Sequence, residues 1–289
     1  MTAPASASAP ASAPASDVVS GLDAGSAPRR TSPRAGRDLP GWGKVVAPVG
    51  VGLVILAAWI FWVDVLGTAP RMLPSPIAIA AEFVLRWNII AEDMAVTATN
   101  ALVGLVAGSL LAIILAALAA TIRPIDGMLA PLVSALAVIP IVAITPILNT
   151  MYGASSQFGR QAVAMIAAFI PVFVTVLRGF RQTRPVHRDL LRASAASRAQ
   201  TFRFLTLPTA LPYLMTGLRI ASSLAVIAAL VAEYFGGPAD GIGTAIATYA
   251  KSGRAALAWA FVVGGMLIGL AFYLVTSLLE RWATRRSPG

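Results

Sequence analysis

Few side chains in this chain have the types and spacing that catalysis or metal binding requires. The 289 residues include no cysteine, and the single histidine, His187, lies among arginines. A thiolate metal site, a histidine metal cluster and a Ser-His-Asp triad are therefore excluded. Neither lysine, Lys44 nor Lys251, stands in the Gly-Lys-Ser/Thr sequence of a phosphate-cradling loop. ATP-driven work by this chain would need a separate subunit.

The most distinctive polar stretch is basic, runs from Asp189 to Pro208, and lies between two long apolar runs. Its residues favour a helix, and apolar side chains recur on one side of it at helical spacing: Leu191, Ala195, Phe202 and Leu205. Pro208 and Pro212 lack an amide donor and crowd the preceding turn, so we expect the helix to end at Leu207-Pro208. The pattern predicts a short amphipathic helix with an apolar edge suited to docking.

This stretch resembles the coupling loop of ABC-importer permeases, in which Glu-Ala-Ala is followed by three further residues, then by Gly, and farther on by Leu-Pro. Asp189 stands at the Glu position, Leu190 and Leu191 at the alanines, and Ala195 at the Gly. Asp shortens the acid, and Ala has less freedom than Gly to adopt the positive φ expected at the bend. Residues 217–235 resemble the nitrate/sulfonate/taurine-type branch of the family. The alternative is a solvated basic loop that merely follows the positive-inside rule.

The resemblance implies the MetI-like ABC permease fold over about residues 70–280, with a coupling loop at about 181–212. It assigns contact with an ATPase to ten residues: Asp189, Leu191, Arg192, Ala195, Ser197, Arg198, Phe202, Leu205, Leu207 and Pro208. Phe202 and Leu205 would fill a groove on the ATPase, and Arg192 and Arg198 would pair with acidic groups at its rim.

Composition places the chain among polytopic membrane proteins with an all-α fold. It is 57% hydrophobic and 12% charged, with a mean hydropathy of +0.79. Crossing a hydrocarbon core of ~30 Å takes about 20 apolar residues in a helix, and open sheets would leave backbone groups unpaired in lipid. About six transmembrane helices are predicted, at 46–66, 95–121, 127–151, 161–180, 213–235 and 255–280. A further interfacial helix is predicted at 77–90.

Charge placement predicts the orientation in the plasma (inner) membrane. With the N-terminus inside, 16 of the 22 lysines and arginines fall on the cytoplasmic side and five on the outer side. Because basic residues are retained in the cytoplasm, both termini are expected there. Residues 1–40 are Ala/Ser/Pro repeats with little to bury, and we expect a disordered tail before a transmembrane domain at 41–289.

Four side chains are candidates for a solute pathway or gate. Thr145, Asn149 and Tyr152 lie on the third predicted span, which prolines interrupt, and broken helices line the routes of many transporters. An ordinary hydrogen bond between helices is the alternative for each of these three. Glu233 ends the fifth span and precedes Gly236-Gly237-Pro238, so it is either a gate residue at the outer mouth or a helix-end carboxylate in water.

Two glycine pairs at the small-xxx-small spacing, Gly104/Gly108 and Gly265/Gly269, predict close helix packing. Such pairs can join helices of one subunit or of two subunits, and the sequence leaves both possibilities open.

By resemblance, the expected function is that of a permease subunit without enzymatic activity of its own. ATP and Mg would be held by a partner ATPase, and no cofactor is expected in this chain. The other expected partners are an extracytoplasmic solute-binding protein, a second permease subunit (a homodimer) and membrane lipid, but no nucleic acid. The cargo would be nitrate-, sulfonate- or taurine-like, or a thiamine-pyrimidine or riboflavin precursor. An ion-gradient-driven secondary transporter and a membrane-embedded enzyme are the alternatives.

Overall fold

A computed structural model describes residues 43–65, 73–153 and 155–285, and eleven α-helices account for most of them. In chain order these are α1 (Gly43–Ile60), α2 (Pro76–Leu85), α3 (Trp87–Thr121), α4 (Arg123–Val138), α5 (Ile141–Tyr152), α6 (Phe158–Arg181), α7 (Pro185–Ala193), α8 (Arg198–Thr201), α9 (Leu207–Tyr234), α10 (Ile242–Lys251) and α11 (Ala255–Arg285). Two π-helical turns, Phe61–Val65 and Phe202–Thr206, follow α1 and α8. The predicted tail at 1–40 lies outside the described residues.

The chain divides into two compact units, residues 1–53 and 54–289. Within the first unit the structure describes only residues 43–53, the beginning of α1, where the large apolar side chains are exposed. The second unit contains the helical bundle. Its central helix is α6. In the most apolar stretch of α6, 56% of the residues are buried, against 39% in the corresponding stretch of each of the other three membrane-length helices.

The all-α polytopic fold is confirmed, although fewer helices than predicted are long enough to cross a membrane. Among the described residues four qualify: 87–121, 158–181, 198–234 and 255–285. A fifth exists if α4 and α5, which are bent by 101° around Pro140, count as one broken span. At the first predicted span, the apolar helix Pro48–Val63 is shorter than these. The predicted interfacial helix at 77–90 corresponds to α2 and the first turn of α3.

Small residues allow α3 to lie directly against α6. A Cβ atom at Gly104 would overlap Ala164, and one at Gly108 would lie 3.1 Å from the backbone nitrogen of Phe169. The Gly104/Gly108 pair therefore packs two helices of one subunit. In the second pair Gly265 lies near Leu230, whereas Gly269 has open space beside it.

The prediction that the helix ends at Leu207-Pro208 is wrong. Pro208 lies in the first turn of α9 and Pro212 lies inside it, so that residues 198–234 form one long helix. The π-helical turn that precedes α9 explains how this is possible. There the amide of Leu207 bonds back to the carbonyl of Phe202, five residues earlier, and a widened turn makes room for a proline ring.

Candidate functional site

Two polar regions lie at opposite ends of α6 and α9. We call residues 181–208 the basic segment. The second region, the polar network, consists of seven side chains: Asp93, Thr97, Asn100, Gln157, Arg160, Glu233 and Asp240. Helix α6 begins at the polar network and ends at the basic segment, and α9 runs in the opposite direction. The two ends of the bundle are therefore called the network end and the basic end.

The basic segment contains α7 and the beginning of the long helix 198–234, joined by a tight bend, rather than the single predicted helix. Ala195 has φ +53°, and the amide of Ala196 bonds to the carbonyl of Leu191 at 2.9 Å. This left-handed residue and its backward bond are a common way to end a helix. Ala195 occupies the position that we aligned with the family's Gly, so the expected bend is present although the residue is not Gly.

A capping box precedes α8, at the beginning of the helix 198–234. The Ser197 hydroxyl accepts a hydrogen bond from the amide of Gln200 at 3.3 Å, and the Gln200 side chain accepts one from the amide of Ser197 at 2.7 Å. Each bond satisfies a backbone donor that the helix leaves free. Ser197 thus has a structural role that explains its place in the motif.

The bend separates the apolar side chains that we predicted on one docking edge. Leu191, Phe202 and Leu205 are half-buried, and the Phe202 ring packs against Phe180 of α6 with 5.6 Å between centroids. The exposed apolar side chains of the segment are instead Val186, Leu190, Phe204 and Leu207.

The arginines of the basic segment point to solvent, with Arg181 also paired with Asp126 of α4. The side chains of Asp189 and Arg192 are 70% and 78% exposed and lie 3.4 Å apart. No residue of α7, of α8 or of the π-helical turn after α8 is fully buried. The segment therefore presents positive charge and scattered apolar groups on an accessible surface.

The polar network contains a fully buried arginine, Arg160, in the first turn of α6. Its guanidinium donates to a carboxylate oxygen of Asp240 at 2.7 Å, to the carbonyl oxygen of Pro238 at 2.6 Å and to the hydroxyl of Thr244 at 2.9 Å. A planar fork with several donors suits such a set of acceptors. Arg160 thereby holds the connection between α9 and α10.

Glu233 ends α9 and is also buried, with 1% of its surface exposed. Its carboxylate accepts hydrogen bonds from the hydroxyl of Thr97 at 2.8 Å, the amide of Gly243 at 3.0 Å and the side chain of Asn100 at 3.3 Å. The alternative of a helix-end carboxylate in water is therefore wrong for this structure. Glu233 joins α9 to both α3 and α10.

Three successive backbone amides at the start of α10 are satisfied by side chains from other helices. The amide of Gly241 donates to Asp93 at 2.8 Å, that of Ile242 to Thr97 at 2.9 Å, and that of Gly243 to Glu233. Free amides and a partial positive charge mark every helix N-terminus, so two carboxylates are well placed here.

Side-chain amides complete the polar network. Gln157 donates to both carboxylate oxygens of Asp240 at 3.0 and 2.9 Å, and it accepts from Asn100 at 3.0 Å. Gln161 donates to Asn100 at 3.2 Å. The starts of α3 and α6 are therefore connected to each other and to the α9–α10 connection.

Of the four predicted pathway residues, the structure brings Glu233 and Asn149 to the network end. Asn149 is buried, and neither its amide oxygen nor its amide nitrogen has a hydrogen-bond partner among the described residues. A Cβ on Gly236 would lie 3.3 Å from its nitrogen. Thr145 is fully buried, whereas Tyr152 is half-exposed and packs against Phe158 at 4.5 Å between ring centroids.

Sequence reasoning missed most of the polar network. Arg160 was counted only among the five outer basic residues, and the other members except Glu233 were not singled out. Helical spacing could have revealed them, because Asp93, Thr97 and Asn100 recur at intervals of four and three, and Arg160 and Gln161 follow Gln157 by three and four residues. A second pair that sequence reasoning missed, Arg219 and Glu280 at 3.0 Å, joins α9 to α11 nearer the basic end.

Comparisons with known proteins agree with this architecture. Residues 104–287 match the family described as "Binding-protein-dependent transport system inner membrane component". The formylaminopyrimidine transport permease protein ThiX of Halalkalibacterium halodurans is 31% identical over 67% of this chain and 77% of its own length. The riboflavin transport system permease protein RibX of Chloroflexus aurantiacus is 30% identical over 84% and 91%, respectively.

A more distant relative is the putative aliphatic sulfonates transport permease protein SsuC of Bacillus subtilis, 24% identical over 89% of this chain and 94% of its own. Among solved structures, a chain of the MetNI methionine ABC transporter in an inward-facing conformation superposes with a TM-score of 0.59 at 17% identity. That match covers 69% of this chain and 97% of the other. It supports the fold.

Proposed function

Because the chain belongs to the family of binding-protein-dependent transport system inner membrane components, whose members are ABC-importer permeases, we propose that it moves a small solute across the plasma membrane by alternating access. The work is supplied by a separate ATPase subunit, which holds ATP and Mg, and this chain carries no cofactor. Nucleotide binding closes the ATPase, and the basic segment passes that movement to the spans.

The observation that carries this proposal is the construction of the basic segment. It is exposed, carries arginines at its surface, and is continuous with α9 through residues 198–234. A movement applied to α8 is therefore applied to a transmembrane helix without an intervening loop. A solvated loop with no mechanical role would not need this continuity.

The ten predicted coupling residues divide into three groups in this proposal. Asp189, Arg192 and Arg198 are exposed and meet charged groups at the rim of the ATPase, where such contacts favour orientation and association rate. Ala195 and Ser197 form the bend and the cap, while Leu191, Phe202, Leu205, Leu207 and Pro208 connect the segment to the bundle. The exposed side chains of Leu190 and Phe204 fill the groove on the ATPase.

The same proposal places the basic end and both termini in the cytoplasm, because positively charged loops are retained there. The network end then faces outward, where a solute-binding protein delivers the cargo. A second copy of this chain completes the pathway, and lipid surrounds the exposed apolar faces of the spans. Thr145, Asn149, Tyr152 and Glu233 remain our candidates for the pathway or gate.

The cargo is proposed only as a class, since the relatives are named for formylaminopyrimidine, riboflavin and aliphatic sulfonates. We propose a thiamine-pyrimidine or riboflavin precursor, or a nitrate-, sulfonate- or taurine-like anion. Thermal melting of the neighbouring solute-binding protein with riboflavin, taurine and nitrate tests these candidates directly. A ligand that raises the melting temperature identifies the cargo.

Co-purification tests the coupling role of the basic segment. Phe204→Asp places a charge on an exposed apolar position, and we expect the variant to insert into the membrane but to lose at least ~tenfold in affinity for the ATPase, as at an interface hot spot. Thr284→Asp adds the same charge at an exposed position of the basic end outside the segment and is expected to bind normally. Normal binding by Phe204→Asp, or uptake that persists without the ATPase, would contradict the proposal.

A further inference from the structure

Two long helices connect the basic segment with the polar network. Helix α6 has Arg160 in its first turn and Phe180 in its last, and α9 follows the turn containing Phe202 and has Glu233 in its last turn. At ~1.5 Å per residue, the 28 residues of α9 extend over roughly 42 Å. Each helix therefore has one end in each of the two regions.

Close packing prevents these two helices from sliding past each other. At Gly179 a Cβ would lie 2.8 Å from the Cβ of Tyr213 and 3.0 Å from the Cα of Ala210. Farther along, a Cβ at Gly217 would lie 3.2 Å from the Cα of Val172. The Phe180–Phe202 ring contact fixes the basic end. Interiors packed this closely transmit displacement rather than absorb it.

A flexible connection after α9 would absorb such a displacement instead of passing it to α10. It contains three glycines with positive φ: Gly236, Gly237 and Gly241. Backbone of this kind is permissive, and loops have the lowest local stability in a protein. Here, however, the guanidinium of Arg160 and the carboxylate of Glu233 bond to this connection and to the start of α10.

We propose that Arg160 and Glu233 are positioning residues for transport. They hold the network ends of α3, α6, α9 and α10 together as one rigid unit. Movement received at the basic segment therefore displaces all four helix ends together. The inference rests on the proposed function, because the movement comes from the ATPase. It assigns a role to seven buried or partly buried side chains, of which only Glu233 stood out in the sequence.

The burial of both residues distinguishes this role from direct contact with a partner. Arg160 is 0% and Glu233 is 1% exposed, so neither side chain can touch a docked protein or a lipid in this structure. Their bonds also cross between helices, connecting segments as far apart in the chain as residues 97 and 233. They therefore act through the placement of α10 and of the α9–α10 connection.

Spin-label distances test the rigid unit in the full-length chain bound to its ATPase. Because the chain has no native cysteine, labels in this chain attach only to cysteines introduced at the exposed positions Glu92 of α3 and Lys251 of α10, and the chain is labelled before the ATPase is added. With Glu233→Gln or Arg160→Lys we expect the distance distribution to broaden at least ~twofold as α10 becomes locally free. Thr97→Val, a milder change of similar shape, should broaden it less. Glu82→Gln makes the Glu233→Gln exchange outside the network and should leave the distribution unchanged.

The change in label distance when nucleotide is added distinguishes transmission of movement from a purely structural role. With Mg-ATP and orthovanadate, the labelled but otherwise unchanged chain should keep its distance, because the unit moves as a whole. In Glu233→Gln the distance should shift, since the movement is absorbed at the loosened connection. Adding Phe202→Ala to Glu233→Gln should reduce that shift, because it removes the ring contact through which the movement also reaches α6, whereas α9 stays continuous with α8.

The two proposals fail in distinguishable ways. Unchanged distributions in Glu233→Gln and Arg160→Lys, both with and without nucleotide, would overturn the rigid unit while leaving ATPase binding intact. Failure of the ATPase to co-purify with the unaltered chain would overturn the proposed function and with it the transmission of movement. In that case the same labels in the full-length chain alone would still show broadening in Glu233→Gln.

Discussion

The basic segment and the polar network are both rich in charged side chains, but they use charge in opposite ways. In the basic segment the pair Asp189–Arg192 is mostly exposed, at 70% and 78%, and joins residues three apart. In the network the guanidinium of Arg160 is fully buried and bonds to groups about 80 residues away. Exposed pairs contribute little to stability, whereas a buried pair that loses one partner is costly.

The difference shows which kind of hydrogen bond, local or tertiary, determines the conformation of each region. Local bonds shape the basic segment: a left-handed Ala195, a capping box and hydrogen bonds between near neighbours. The polar network is shaped by tertiary bonds that form only once α3, α6, α9 and α10 have met. A surface of the first kind remains available to a partner, and a cluster of the second kind holds helices in place.

The largest effect expected to sharpen this comparison is that of Arg160→Met. The substitution removes the charged partner of Asp240, which keeps only the amide of Gln157, and the donor to the carbonyl of Pro238 and the hydroxyl of Thr244. We expect it to lower the free energy of unfolding by ~3 kcal/mol, the lower end for a broken buried pair, because the Asp240 side chain is 41% exposed. Arg192→Met removes the same charge from the exposed pair and should change stability by no more than ~0.5 kcal/mol. Reversible unfolding in mixed micelles measures both. Equal losses would mean that the long-range bonds of Arg160 contribute no more to stability than the local pair of Arg192.

A smaller effect is expected from Gly241→Ala, with Gly153→Ala as its control. The two glycines have nearly the same backbone, φ 85° and ψ 156° against φ 90° and ψ 143°. A Cβ at Gly241 would lie 2.7 Å from the carboxylate of Glu233, whereas the one at Gly153 has open space. We expect Gly241→Ala to cost ~1–3 kcal/mol more, because displacing the carboxylate leaves its buried donors unsatisfied. The same unfolding measurement decides, and equal costs would show that the Glu233 contact contributes nothing.

The smallest effect is a gain in the basic segment. A left-handed conformation costs a non-glycine residue ~1–2 kcal/mol, and glycine loses ~0.5–1 kcal/mol in entropy. Ala195→Gly is therefore expected to stabilise the bend by roughly 0.5 kcal/mol. Ala199→Gly, at an exposed position within α8, should be destabilising instead. Hydrogen exchange of the amides at 194–196 reports the bend, and faster exchange in Ala195→Gly would contradict the assignment.

Individual helices show which parts of the fold the residue pattern predicts. The apolar runs predicted α3, α6, α9 and α11 because length and hydropathy are properties of a segment by itself. The prolines of the third run predicted an interruption, and α4 and α5 are bent there by 101°. The predicted helix end at Leu207-Pro208 was wrong, because the prediction assumed a regular α-helix and the π-helical turn before Pro208 accommodates the proline ring.

The network end was less predictable for a different reason. Glu233 was noticed because intramembrane charge is rare, but its partners are common polar residues at ordinary positions. Helix α10 was not predicted, since its ten residues depend on Asp93, Thr97 and Glu233 to satisfy its first amides.

The sequence by itself determined a helical membrane protein with a basic, exposed segment between two apolar spans, because spans and charge placement depend on composition and local spacing. Only the tertiary structure decided that Phe202 turns toward Phe180, that Gly104 and Gly108 pack within one subunit, and that Arg160 and Glu233 hold four helices together. These outcomes depend on which distant groups meet, and burial makes their hydrogen bonds strong and their absence costly.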